Sequence, residues 1–344
     1  MSVYDRLLKV VQKDPGNRGI TGTFDISGED VVRFARAIMS SDHVVIATGF
    51  FITGANAPET DGPLGSLALC DALQRLGKSV TILTDANDAP LLTKCCASYP
   101  GGVVTVDTLP VLPHSANPAL LTTLERQTAR NYLLQLYERK CGSSGKRLFL
   151  LGLERLGRTA VGNHCNMRGV EISELSGGPA IDAVFRYAHA AWEDADHEAL
   201  GGRLDADDET TKRLFGEVAT GGIGDGGNEL GMGRYHDIIV GHVPNGALLA
   251  TTTRTAHVIA CGVSNWGGYL LADVMALLAR DAALAVRPQA QRDLLAKIVG
   301  WGAVDGVTKQ NAPSIDGMPF ETVHQQLIQE MEGIVTSELI PQNN

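Results

Sequence analysis

Short apolar runs recur through the first half of the chain, separated by stretches where apolar positions return every three or four residues. His43–Thr48, Val80–Leu83, residues 102–106 and Arg147–Leu151 form such runs, and each predicts a buried strand. Helical spacing covers residues 2–13, 29–40, 65–76, 88–98 and 119–139. Pro15 and Gly16 stop the first of these helices, and Gly77 is a natural C-cap for the third. Strand and helix therefore alternate roughly every 30 residues, the pattern of a parallel sheet. The expected class is α/β: a mostly parallel, three-layer, Rossmann-like sheet covered by helices on both faces.

The second half is less regular. Residues 152–178 show no strong periodicity, and so long a loop in a compact protein usually serves function. Helical spacing returns at 179–195, 267–281, 288–300 and 320–336, and His257–Val263 reads as another strand. Residues 201–213 are polar and charged, the natural place for an exposed connection. The chain reads as one domain, residues 1–344, with a subdivision to be sought near 195–213.

Composition narrows the function. The 344 residues are 44% hydrophobic and 20% charged, a globular balance. The formal charge of −10 argues against sequence-independent nucleic-acid binding, which needs clustered Lys and Arg. No run of eighteen apolar residues predicts a membrane span. Six cysteines form no CxxC pair, and the first twenty residues lack the apolar core of a secretory signal. Free thiols and a cytoplasmic location are the expectation. Glycine accounts for 39 residues and is densest in GGIGDGGNELGMG, residues 221–233.

Gly222, Gly224 and Gly227 satisfy G-x-G-x-x-G, but a dinucleotide site also needs an acidic residue about twenty positions on. Between Asp237 and Asp273 there is none, so no dinucleotide and no other organic cofactor is expected. Asp225 and Glu229 are four apart. If the chain turns helical at Gly226, both carboxylates lie near a helix N-terminus, with Asn228 between them. Such a loop suits the charged ends of an amino acid, or a hard divalent cation such as Mg²⁺ or Mn²⁺ held by Asp225 and Glu229. A stabilising Asp N-cap with Glu in the first turn uses the same residues.

GIGDGGNELGMG (222–233) and CGVSNWGGY (261–269) resemble the D-glutamate cyclases. The likeness extends to DPGNRGI (14–20), ETDGPLGSLAL (59–69), ERLGR (154–158), NMRG (166–169) and DGMPFE (316–321). It covers nearly the whole chain and implies a stand-alone cyclase domain. That family dehydrates D-glutamate to 5-oxo-D-proline, a hydro-lyase reaction. Its vertebrate members are mitochondrial, which makes the matrix an alternative to the cytoplasm.

In such a reaction the substrate amine attacks its own γ-carboxyl carbon, so the substrate itself supplies proximity. Protonating a carboxylate of pKa about 4.3 at pH 7 costs about 3.7 kcal/mol, so the site needs a base, and an acid or cation on the carboxyl oxygens. Asp225 and Glu229 are the first candidates for base and ammonium ligand. Asp61 follows, just after an apolar strand where ligands bind in open parallel sheets; Glu59 is a lesser candidate. Asp85 reads equally well as a helix cap. Arg158 and Arg168 are candidate carboxylate clamps, or partners of structural acids. Asn166, Asn265 and Ser264, with the backbone of Gly226 and Gly227, are candidate substrate contacts. His164 with Cys165, His257 and Trp266 read as structural. Competing readings are a metal-assisted hydrolase of a small amide or phosphate ester, and a non-catalytic acidic amino-acid sensor.

Overall fold

The computed structural model describes residues 1–20, 24–98, 104–112, 118–142, 146–175, 178–190 and 218–339. The proposed subdivision near 195–213 and the polar stretch 201–213 lie outside these residues, as do positions 102 and 103 of one predicted strand.

Six parallel strands form the central sheet: β1 (His43–Ala47), β4 (Ser79–Asp85), β5 (Thr105–Leu109), β6 (Leu148–Leu153), β7 (Val218–Gly224) and β8 (His257–Ala260). Their spatial order is β5-β4-β1-β6-β7-β8. From β1 the chain winds outward to β4 and β5, then returns to the other side of β1 and continues through β6, β7 and β8. β1 is in register with β4 through His43 and Ser79, and with β6 through His43 and Leu148. Because winding reverses between β1 and β6, the loops leaving their C-terminal ends diverge and open a crevice. A two-residue hairpin, β2 (Phe51–Ile52) with β3 (Ala57–Pro58), stands in the loop after β1. A second one, β9 (Ser314–Ile315) with β10 (Met318–Pro319), lies late in the chain.

Alternation along each buried strand feeds two cores. Val44, Ile46, Phe149 and Leu151 point into the larger one, shared with helices Val3–Val11, Gly28–Met39, Pro63–Arg75 and Ser264–Ala279. Val45, Ala47, Leu148 and Leu150 point the other way, against helices Pro118–Lys140 and Gly178–Ala190. The three-layer α/β arrangement is therefore present. Capping boxes start two of the helices: Ser2 with Asp5, and Ser27 with Asp30. No helix among the described residues is long and apolar enough to cross a membrane.

Two departures from the sequence reading shape the site. β6 runs on to Leu153, two residues past the predicted end at Leu151, so its end presents Glu154 instead of Gly152. β7, unrecognised in the sequence, is built through Gly221, Gly222 and Gly224. A Cβ at Gly221 would lie 2.3 Å from the Phe34 ring, and one at Gly222 would lie 2.1 Å from the Leu230 carbonyl oxygen. Neighbouring chain packs against this strand where side chains would otherwise stand.

Candidate functional site

Loops leaving the C-terminal ends of β1, β6 and β7 line one cavity of about 380 Å³. Those three ends deliver buried acids. After β1 and its hairpin come Glu59 and Asp61, after β6 comes Glu154, and after β7 comes Asp225. One oxygen from each of Asp61, Glu154 and Asp225 lies within 4.8 Å of the others. The described residues thus contain a buried acidic triad able to hold a metal ion.

Backbone N–H groups fix two members of the triad. Asp61 Oδ1 accepts from Gly62 N at 2.9 Å and Asn265 N at 2.9 Å, and its Oδ2 accepts from Ser264 N at 3.0 Å. Ser264 N also donates to Asp225 Oδ2 at 2.9 Å. These are the orphan N–H groups that open helix Ser264–Ala279, and they favour negative charge. Asn265 ties the same turn to the first loop: its Oδ1 accepts from Gly65 N at 2.7 Å and Gly62 N at 3.0 Å. Gly62 has φ +96°, and a Cβ there would meet Thr48 Oγ1 at 2.8 Å and Glu154 Cβ at 3.1 Å. Glycine at 62 therefore lets Asp61 and Glu154 approach. Glu154 itself sits at φ +49°, and its Oε2 is buried with no hydrogen-bond partner.

Arg18 enters from the N-terminal segment. Its own loop is held by Asp14, which accepts from Arg18 N at 3.0 Å and Gly19 N at 2.8 Å. The guanidinium pairs with Asp225 Oδ1 and, at 2.9 Å, with Asp316 Oδ1. Asp316 lies in the β9–β10 turn, and its Oδ2 is buried and unpartnered. The buried Glu59, Asp61, Glu154 and Asp225, with the Asp316 carboxyl at 5% exposure, thus gather around one guanidinium that pairs with two of them.

The electrostatic consequence is uniform. Burial, then repulsion from Asp316 and Asp225, pushes Glu59 and Asp61 well above the usual carboxylate range. Burial and the Asp225 charge do the same to Glu154. Asp225 is raised by burial against the pull of Arg18, and Asp316 is pushed up to about 7 by the same opposition. Burial also works against the Arg18 charge, but the surrounding carboxylates more than offset it and hold the guanidinium protonated. A buried cluster with this excess of acid must take up protons or a cation.

The glycine cluster differs from the helical turn anticipated at Gly226. Residues 225–228 curl around the Glu229 carboxylate instead. Glu229 Oε1 accepts from Asp225 N at 3.1 Å and Gly226 N at 2.7 Å, and its Oε2 accepts from Gly227 N at 2.7 Å. Glu229 borders the cavity, yet its oxygens anchor the loop, and the N–H groups of Gly226 and Gly227 are spent on it. Asn228 and Asn166 border the cavity too. Asn228 Nδ2 donates to the Cys165 carbonyl at 2.9 Å, and Asn166 Oδ1 accepts from Arg168 N at 2.9 Å. Ser264 and Asn265 lie one step behind, with Asp61. Arg168 is exposed on the cavity wall.

Arg158 stands apart from the cavity, 3.3 Å from Glu125. Asp85 is bound to Arg155 at 2.6 Å and caps the following turn through Asn87 N. Burial lowers His164 to about 4 and raises the Cys165 thiol. His257 stacks on Phe34, and Trp266 donates to His324 Nδ1 at 3.0 Å inside the core.

Sequence reasoning passed over Arg18, Glu154 and Asp316. Each lies inside a motif already noted (DPGNRGI, ERLGR, DGMPFE). The clue was the persistence of charged residues beside glycines in segments with no periodicity. Lys309, also on the cavity wall, lies in none of those motifs.

Fold and site together define an α/β protein whose reversing sheet carries a buried acidic pocket. The family described as D-glutamate cyclase-like, C-terminal, matches residues 7–201 and 195–332, and the chain belongs to it. A Homo sapiens protein named "D-glutamate cyclase, mitochondrial" is 28% identical over 352 aligned residues. The alignment covers 95% of this chain and 51% of the human protein, so the chain spans about half the length of that curated relative.

Proposed function

We propose that this chain is a D-glutamate cyclase, a lyase that closes D-glutamate to 5-oxo-D-proline with release of water. The observation that carries the reading is the five-acid, one-arginine cluster at the point where sheet winding reverses. Such a cluster attracts an ammonium group, and family membership supplies the substrate. The human relative's name says what that protein does; for this chain the reaction is inferred.

In the reaction a C–N bond forms between the amine and the γ-carbon, and a C–O bond breaks. Two protons leave the nitrogen and both end on the departing oxygen, so no proton is gained or lost overall. One group must therefore accept a proton and return it. We assign this to Asp316. Arg18 holds one of its oxygens, which orients the carboxyl, and the other oxygen is unpartnered at the cavity. Asp61, Glu154 and Asp225 would hold a divalent cation, Mg²⁺ or Mn²⁺, through hard oxygen ligands. Bound there, such an ion would supply Lewis-acid chemistry, offsetting the γ-carboxylate charge. Glu229 keeps Asp225 in place by closing the loop beneath it, and Asn166 and Asn228 offer amides to substrate oxygens.

The test is incubation of the purified protein with D-glutamate and, separately, L-glutamate, before and after chelation. Chiral chromatography follows 5-oxoproline. The reading expects product from D-glutamate, its loss on chelation and its recovery with Mg²⁺ or Mn²⁺. A folded protein that yields no product with either cation contradicts it.

A further inference from the structure

The cavity floor is acidic, but its rim carries an amine that the proposed chemistry has not used. Three basic side chains line the cavity: Arg18 is consumed by Asp225 and Asp316, Arg168 lies exposed on the wall, and Lys309 is the third. Lys309 forms no ion pair or hydrogen bond through its ammonium among the described residues. Its position is nevertheless built. Lys309 sits at φ +60°, an uncommon conformation for a residue with a side chain. Its N–H donates to the Asp305 carbonyl at 2.8 Å. The buried Asp305 carboxylate gathers the rest of the turn, accepting from Val307 N at 2.9 Å, Thr308 N at 2.8 Å and Gly317 N at 2.8 Å. Gly317 follows Asp316, so one anchor fixes both the rim amine and a floor acid.

The opposite wall makes room for that amine. A Cβ at Gly54, in the β2–β3 hairpin, would lie 2.5 Å from Lys309 Nζ and 3.2 Å from its Cε. Gly54 is thus the seat over which the lysine side chain lies. The cavity is polarised as a result, with the buried acids at the floor and the Lys309 ammonium, seated on Gly54, beside the exposed Arg168 at the rim.

We infer that Lys309 is the specificity-determining residue that binds the non-reacting α-carboxylate of an amino dicarboxylate. The inference rests on the cyclase reading. When the substrate folds to cyclise, its amine and γ-carboxyl are in contact and must both lie at the floor. The α-carboxylate is then the one charge left to face outward, and Lys309 is there to meet it. The enzyme therefore prefers an α-acid to the corresponding α-amide, because the amide leaves the lysine unpaired.

The test compares the full chain and its Lys309→Met, Lys309→Arg and Gly54→Val variants on D-glutamate and on D-glutamate α-amide. The α-amide keeps the same amine and γ-carboxyl. Losing a charge-assisted hydrogen bond predicts a KM for D-glutamate raised roughly 10- to 100-fold in Lys309→Met, with kcat little changed. The preference for acid over amide should shrink by a similar factor. Lys309→Arg should restore most of both. Gly54→Val should mimic Lys309→Met, and the double variant should be no worse than either. Unchanged KM and preference in an active Lys309→Met variant would overturn this assignment alone. Lack of turnover by the wild type would defeat it together with the cyclase reading. An arginine variant as impaired as the methionine one would also count against it, since a role in the fold, not charge recognition, would then explain the loss.

Discussion

Two of the buried ionic clusters among the described residues balance their charges differently. Beneath helices Pro118–Lys140 and Gly178–Ala190, Asp182 and Glu125 face Arg186 and Arg158. Arg186 contacts Asp182 at 2.6 Å and Glu125 at 2.9 Å, giving two acids and two bases. Burial works against both charges: Arg186 and His164 still hold the Asp182 carboxyl below the ordinary range, while Glu125 is raised by burial against the pull of Arg186 and Arg158. At the cavity, five acids gather around Arg18 and all five are raised. A balanced cluster needs nothing more from its surroundings and serves the fold. The unbalanced one is completed by something that arrives, whether a proton, a cation or a substrate ammonium.

The largest effect that would break this contrast is on activity. Glu154→Gln keeps the shape but removes a proposed cation ligand. Turnover of D-glutamate should fall by a factor of about 10³ or more, while the melting temperature stays level or rises, since one excess charge is gone. Steady-state kinetics beside thermal denaturation read both. Next comes the balanced cluster. Arg186→Met strands Asp182 and Glu125 and should cost about 3–5 kcal/mol of stability in a urea titration. The same exchange at Arg158, which is partly exposed, should cost less.

A smaller effect is linkage. A divalent cation at 100 times its Kd should stabilise the wild type by about 2.7 kcal/mol and leave Glu154→Gln nearly unmoved in the same thermal shift. The smallest concerns a third way to carry a buried acid, keeping its proton. Asp273 accepts from Val286 N at 2.9 Å, its Oδ2 has no partner, and burial pushes it up to about 7. In the unfolded chain it titrates near 3.9. Its contribution is therefore whole below about pH 4 and is lost as pH rises toward 7, at most about 1.4 kcal/mol per pH unit. Asp273→Asn should flatten that slope and raise stability at pH 8 relative to wild type. Denaturation at pH 5 and pH 8 checks it.

The contrast also explains what the sequence could reveal. Alternating runs such as Val44–Ile46 and Phe149–Leu151 announce the parallel sheet because burial on both faces imposes them. β7 escaped because close packing against Phe34 and Leu230 replaced its side chains with glycines, which carry no periodicity. Asp61 was legible because it follows an apolar strand, and Asp225 because it stands in the densest glycine cluster. Glu154 was hidden by a strand two residues longer than its apolar run suggested. Arg18 and Asp316 come from opposite ends of the chain and meet only through the fold. Lys309 owes its place to a turn built on Asp305 and to the absence of a side chain at Gly54, neither of which is a pattern of residue types.

The most direct test of the central claim is to assay Glu154→Gln and Arg186→Met side by side for D-glutamate turnover and melting temperature. The account predicts that the first loses activity and keeps its stability. The second should lose stability yet, while still folded at low temperature, convert D-glutamate to 5-oxo-D-proline. A Glu154→Gln protein that turns over D-glutamate at the wild-type rate would contradict the assignment of the unbalanced cluster as the active site.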